Sequence, residues 1–425
     1  MSRTAVLVAA LSGAVSASLA AQQTIELAPR DRTISLDPTA LYAVGSVDGD
    51  AWETFAQVTQ VAFDGEGNLY VFDRDNARVV VVAPDGTLLR EIGSDGGGPG
   101  ELRNPMSMAV SRDGEVTIFD VGHMAFVRFA ADGSFIEQDR HDMFGGLPTG
   151  ELTADPAGGV LFSGSGAVAV RSSGGSTTLP DSNTRPIRRV PPGGTATVAY
   201  EAWQLPQDMG MESMSVGGDL NFTSQMPRLR AFEPGLYFGL TPRGELVVAD
   251  TVDYAVKIVD REGRANVVLR RPIAPKDVSR RDQEAERERR RAELEERAAS
   301  GGMRMVVRLS GDGGGNQGQA VAPDAVKQML EKRLETMAFA EQIPVIAGLA
   351  TDWAGRIWIE RTGRRIGEDG PTDIVTTGGE YLGTLASDAM RTPAAFGPNG
   401  LVATIELDEL DVPTIRVSRL PEGWR

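Results

Sequence analysis

The chain has 425 residues, a formal net charge of −16, 50 glycines and no cysteine. Without cysteine it can carry no disulfide, thiolate nucleophile, cysteine-bound zinc or lipoprotein anchor. The acidic balance repels nucleic acid and anionic lipid, so neither is an expected partner.

Residues 1–21 read as a signal peptide. Arg3 gives the positive start, residues 5–15 a short apolar run, and Ser18-Leu19-Ala20 the small-residue end. No later stretch is apolar enough to span a bilayer, so the expected product is exported, periplasmic or extracellular. Strand candidates follow at residues 24–27, 33–36 and 41–44.

The dominant pattern begins at Val61. Apolar runs at residues 61–63, 69–72 and 79–82 are separated by Asp64-Gly65 and by Asn76-Ala77, and Asp85-Gly86 follows. β-Branched and aromatic runs bounded by Asp-Gly pairs predict short strands joined by tight turns. Phe72-Asp73 returns as Phe119-Asp120, 47 residues on, and Gly100-Glu101-Leu102 returns as Gly150-Glu151-Leu152 after 50. Such periods predict repeated four-stranded units. Units fall near 57–92, 103–140, 147–207, 226–272, 343–385 and 391–420. The third is degraded, with strands expected at 159–162, 167–170 and 197–203 before a Met/Gly-rich loop. The expected fold is all-β, a six-bladed β-propeller over residues 22–425 in which the N-terminal strand pairs with the last blade.

An insertion at 275–344 separates the fourth and fifth units. Residues 277–299 are charged on every side, with Glu286/Arg290 and Glu293/Arg297 at helical spacing. Residues 323–341 predict a second helix whose Val326, Met329, Leu330, Leu334 and Met337 share a face that packs on the body.

The phrase Gly98-Pro99-Gly100-Glu101-Leu102 before a repeat, and Leu69-Tyr70-Val71-Phe72-Asp73 followed by Asn76 and Arg78, resemble the six-bladed propellers of the NHL-repeat type. The charged helix and Gly355-Arg356-Ile357-Trp358-Ile359 are similar to an exported bacterial group of that type. The resemblance implies the fold and is almost silent on chemistry.

Candidate chemistry is sparse. Only His123 and His141 are histidines, too few for the zinc sites of propellers that cleave amidated peptide precursors. His123 reads as a turn residue. His141-Asp142 is not a catalytic pair on an extended segment, where neighbours point to opposite faces. Gly164-Ser165-Gly166 lacks the framing of a nucleophile elbow. The glycine runs at 93–100 and 311–318 lack a phosphate-binding ending. Asp73, Asp120, Asp250 and Glu360 recur at one repeat position. A carboxylate ring could hold calcium; hydrogen bonding to each blade's own turn is the favoured alternative, and no cofactor is predicted. The expected function is a non-catalytic binding scaffold for a protein, peptide or glycan. The alternatives are a metal-assisted hydrolase or lyase at the central channel and a structural part of an envelope assembly.

Overall fold

The computed structural model describes residues 22–142, 146–148, 150–164, 184–206, 211–216, 222–299, 305–308, 318–408 and 412–425. The expected signal peptide and the strand expected at 167–170 lie outside them. Six sheets surround an axis. Blade 1 comprises Val58–Phe63, Leu69–Asp73, Arg78–Val82 and Leu88–Ile92. Blade 2 comprises Pro105–Val110, Val116–Asp120, Ala125–Phe129 and Phe135–Arg140. Blade 3 comprises Thr153–Ala154, Val160–Ser163, Thr184–Val190 and Thr197–Trp203. Blade 4 runs from Tyr237–Leu240 through Leu246–Ala249 and Ala255–Val259 to Ala265–Arg270. Blade 5 runs from Ile346–Thr351 through Arg356–Arg361 and Thr372–Thr376 to Tyr381–Leu385. Blade 6 has Ala395–Phe396, Leu401–Leu407 and Pro413–Arg419, with Thr39–Val44 as its antiparallel outer strand.

Strand alternation explains the ring. Leu69 and Val71 pack into a core with Ala403, Ile415 and Val417 of blade 6, whereas Tyr70 and Phe72 pack with Ile118, Val127 and Phe129 of blade 2. Side chains of one strand thus serve two neighbours, so the middle strands are buried on both faces and read as unbroken apolar runs. Five further cores join the remaining pairs of neighbours or fill the insertion. That between blades 5 and 6 includes Trp358, Ile374 and Val402.

The turns have a shared construction. Gly86 and Gly133 both sit at φ +88°, and Asp85 and Asp132 accept amide bonds from Thr87 and Ser134. Only the glycine takes positive φ, and the strand after the turn is bulged, Arg90 pairing with Val81 but Leu88 with Val82. The Asp-Gly pairs therefore build type I turns with a bulge, not two-residue hairpins.

The third blade is a single unit, and its third strand is Thr184–Val190, which sequence reading did not identify. The Met/Gly-rich stretch after it includes a hairpin, Met211–Val216 with Phe222–Pro227, outside the blade. The N-terminal segment also does more than expected. Gln23–Glu26 adds a parallel strand to blade 4 and Thr33–Ile34 adds one to blade 5, before Thr39–Val44 closes blade 6.

This strap is fastened by charge. Asp31 reaches Arg271 at 2.7 Å and Arg361 at 2.8 Å. Burial opposes the Asp31 charge, but the two guanidinium groups prevail and hold its carboxyl below the ordinary 3.8. A lowered folded pKa contributes stability above the unfolded value that is lost as pH falls through the folded one. Hydrogen exchange corrected for intrinsic rates should therefore show residues 22–36 losing protection when pH drops from 5 to 2.5. Asp31→Asn should already be less protected at pH 5 and show a smaller change.

The insertion carries two helices, α1 (Arg280–Ala299) and α2 (Pro323–Glu335). Ser279 and Asp282 cap α1 reciprocally: the Asp282 amide donates to Ser279 Oγ at 3.2 Å and the Ser279 amide to Asp282 Oδ2 at 3.0 Å. Sequence reading gave α1 no apolar face, yet Leu294 is buried against Val326, Leu334 and Met337, with Ala298 beside them. The α2 stripe is thereby docked. Beyond α2, which ends six residues earlier than expected, Ala338–Phe339 pairs in parallel with Arg230–Ala231 ahead of blade 4. Glu286 pairs with Arg290 at 2.6 Å as expected, whereas Glu293 pairs with Arg289. Among the described residues no helix is long and apolar enough to cross a membrane.

Candidate functional site

Each first strand begins, and each second strand ends, on one face of the ring, called upper below. Three of the four recurring carboxylates sit there with no exposure: Asp73, Asp120 and Asp250. Asp73 accepts the amides of Ala56 and Gln57 at 3.0 and 3.1 Å, and Arg78 Nε at 3.1 Å. Asp120 accepts the amides of Arg103 and Asn104 at 2.6 and 3.2 Å. Asp250 accepts the Trp203 amide at 2.7 Å and Lys257 Nζ at 2.8 Å. These carboxylates tie down the chain entering or leaving a blade, and each already accepts at least two internal hydrogen bonds. Among the described residues, no three His, Asp or Glu side chains gather as a metal-holding group.

Glu360 departs from this pattern. It is half-buried, and no hydrogen bond or ion pair engages it among the described residues. The buried carboxylate of blade 5 is Asp373, one strand farther out, which pairs with Arg271 at 2.8 Å. Glu360 is thus left over from the structural role its repeat position has elsewhere.

The other sequence candidates resolve as packing or loops. His123 Nδ1 lies 3.3 Å from Asp120. His141 stands edge-on to Phe119, Phe126 and Phe162, and its Nε2 lies 2.6 Å from the Gly146 carbonyl oxygen. Gly98 donates to Glu101 at 2.7 Å, closing the first glycine loop on itself. Ser165 and residues 311–317 lie outside the described residues; Gly318 begins the strand Gly318–Val321.

Glu360 lines a cleft of about 580 Å³ on the upper face. Its walls come from α1 (Glu286, Arg289), from the approach to blade 4 (Phe232, Tyr237), and from the start of blade 5 (Ile343, Ile346). The loop joining the second and third strands of blade 5 (Arg361, Ile366) and the connection to blade 6 (Met390, Arg391) complete it. Phe232 sits at φ +62°, a strained conformation for a bulky residue, and its ring packs 5.8 Å from Phe339.

The electrostatics of the walls follow from burial and pairing. Burial opposes the charge of Glu286, but Arg289 and Arg290 prevail and hold its carboxyl low. Burial, then the Glu360 charge, push the Tyr237 phenol above its ordinary value. Behind it, burial lowers Arg185, whose guanidinium donates to the carbonyls of Trp203, Pro234 and Gly235.

On the lower face, the Arg112 guanidinium stacks 4.4 Å over the Trp353 ring. These residues come from the turns of blades 2 and 5, which stand opposite each other in a six-blade ring. The stack crosses the axis and narrows the channel at that end.

Sequence reading missed the placing of Tyr237 in this cleft and the lack of a side-chain partner for Glu360 among the described residues. The signal that could have flagged Glu360 is its extra methylene where three other blades carry aspartate.

A family described as "6-bladed beta-propeller" (DUF5128) matches residues 54–150, which hold blades 1 and 2. No curated protein matches the chain in sequence. Among solved structures, a protein of Bacteroides fragilis named only as exported is 10% identical, with 94% of this chain and 99% of that one covered and a TM-score of 0.47. A DUF4221 member from Bacteroides vulgatus is 9% identical, with 92% and 99% covered and a TM-score of 0.46. The PQQ-bound aldose sugar dehydrogenase of Streptomyces coelicolor is 13% identical, with 93% and 100% covered and a TM-score of 0.41. At such identities and scores these likenesses say nothing about activity.

Proposed function

We propose that this chain is an exported propeller of the NHL-repeat type that binds, without catalysis, a segment of peptide or protein in the upper cleft. The observation that carries the reading is the cleft itself. Its volume of about 580 Å³ suits a ligand site, and an inserted helix supplies one wall. Its lining mixes aliphatic side chains with nine charged ones, and among the described residues no histidine, lysine or cysteine lines it. The metal-assisted alternative is disfavoured because three of the four recurring carboxylates, Asp73, Asp120 and Asp250, already serve internal donors. An exposed stripe on α2 would favour the envelope-assembly alternative, and that stripe is docked against Leu294. Export is supported by the signal-like residues 1–21.

A cleft-filling variant tests the reading. Ile366→Trp, on the exposed loop of blade 5, should leave the melting temperature within about 1 °C of wild type, as surface substitutions usually do. Calorimetric titration with a capped-peptide library should show binding to wild type and its loss in the filled variant. Peptide binding that survives the filling overturns the cleft as the site.

A further inference from the structure

Nine charged residues line the cleft, and eight of them are paired. Glu233 meets Arg230 at 2.7 Å, Glu286 meets Arg289 at 2.8 Å, Glu368 meets Arg365 at 3.4 Å, and Asp369 meets Arg391 at 2.7 Å. Arg361 meets Asp31 and Asp373. The exception is Glu360. A carboxylate partly withdrawn from water, with no cation assigned to it among the described residues, favours a cationic group arriving from outside.

Two further features support that use. Gly348 is Glu360's cross-strand neighbour, and a Cβ there would fall 2.4 Å from Glu360 Oε2. The bare glycine gives the carboxylate room to lie against the first strand of blade 5, on the channel side of its own strand. In the same cleft lining, Ile346, Ile366 and Met390 offer an apolar surface for the methylene stem that accompanies a charged head. The net charge of −16 adds a long-range field that draws cations toward the protein.

We infer that Glu360 is the anchor for a cationic group, an ammonium or guanidinium, of the peptide bound in the cleft. The inference rests on the cleft being the binding site. Two sources can supply the cation: a Lys or Arg side chain, or a free peptide α-amino group.

The test uses four probes on the full mature chain. They are capped Ala-Leu-Xaa-Leu-Ala amides with Xaa lysine, norleucine or glutamate, and the norleucine peptide with a free amino terminus. Each is titrated at low salt into wild type, Glu360→Gln and Ile366→Trp. The expected result is that the capped lysine peptide binds wild type at least tenfold tighter than capped norleucine. That preference should disappear in Glu360→Gln, and Ile366→Trp should bind neither. A Glu360-dependent preference for the uncapped norleucine peptide also supports the anchor and assigns the cation to the α-amino group. Equal binding of all four probes by wild type, lost on filling the cleft, overturns the cationic anchor and leaves the cleft standing. Binding unaffected by Ile366→Trp, or no binding by any probe at millimolar concentration, overturns the peptide-cleft reading itself. Melting curves and far-ultraviolet spectra matching wild type establish that each variant is folded.

Discussion

Arg271→Met should cost about 3–5 kcal/mol of stability, the usual penalty for stranding a buried charge. The Arg271 side chain has no exposure, and neither does Asp373, which it meets at 2.8 Å. Its Nε also donates to the Ala28 carbonyl at 2.8 Å, and its guanidinium lies 4.7 Å from the Tyr381 ring centroid. Burial would lower the Arg271 pKa, yet the Asp373 charge prevails and raises it. Methionine keeps most of the volume and removes every one of these contacts. Asp373 is then left with Thr384 and with Arg361 at 3.5 Å. Urea unfolding should show the loss, and hydrogen exchange should show residues 22–36 released first. The double variant Arg271→Met/Asp373→Leu should recover much of the deficit, because an apolar pair carries no stranded charge. A double variant no more stable than the single one would mean that geometry at the strap, not the buried charge, sets the cost.

Asp73→Ala should be nearly as damaging, at about 3 kcal/mol. It removes an acceptor that engages two backbone amides and Arg78, and also Asn76 Nδ2 at 2.7 Å. Arg78 keeps Glu91 at 2.9 Å and the Thr54 carbonyl at 2.9 Å, which limits the loss. The variant separates two uses of the same carboxylate. If Asp73 holds its own blade, wild-type melting is indifferent to a chelator and the variant melts lower. A wild-type melt that falls on chelation, with metal measured by elemental analysis, would restore the calcium ring.

Blades 1 and 2 were legible in sequence because their two middle strands are runs of β-branched and aromatic residues and their first and last turns carry glycine at positive φ, Gly67 and Gly86 in one and Gly114 and Gly133 in the other. Blade 3 was legible only in part. Its second and third strands are separated by residues 164–183, so the period that reveals a repeat is broken there. Residues 24–27, 33–36 and 41–44 read correctly as strands. The partners of the first two were hidden, because Val267–Arg270 and Thr384–Leu385 lie more than 240 residues away and no local pattern encodes that pairing. The charged helix misled for a related reason: Leu294 and Ala298 are too few to register as a face until α2 is seen beside them. The candidate site was concealed by the repeat itself. Glu360 resembled Asp73, Asp120 and Asp250 in position, and only the pairing of Arg271 with Asp373 shows that its structural duty has moved to another residue.

The strap has a kinetic consequence. Blades 1 to 3 are made largely of contacts between near neighbours in sequence and can stack as they leave the ribosome. The strands at Gln23–Glu26, Thr33–Ile34 and Thr39–Val44 emerge before all of them, yet their partners appear only with residues 267–270, 384–385 and 415–419. Pairings this distant are slow to form and give no stability until both ends exist. For most of its synthesis the polypeptide is therefore an open arc with an unclaimed leading end. It becomes a closed, latched body only after its last blade is available.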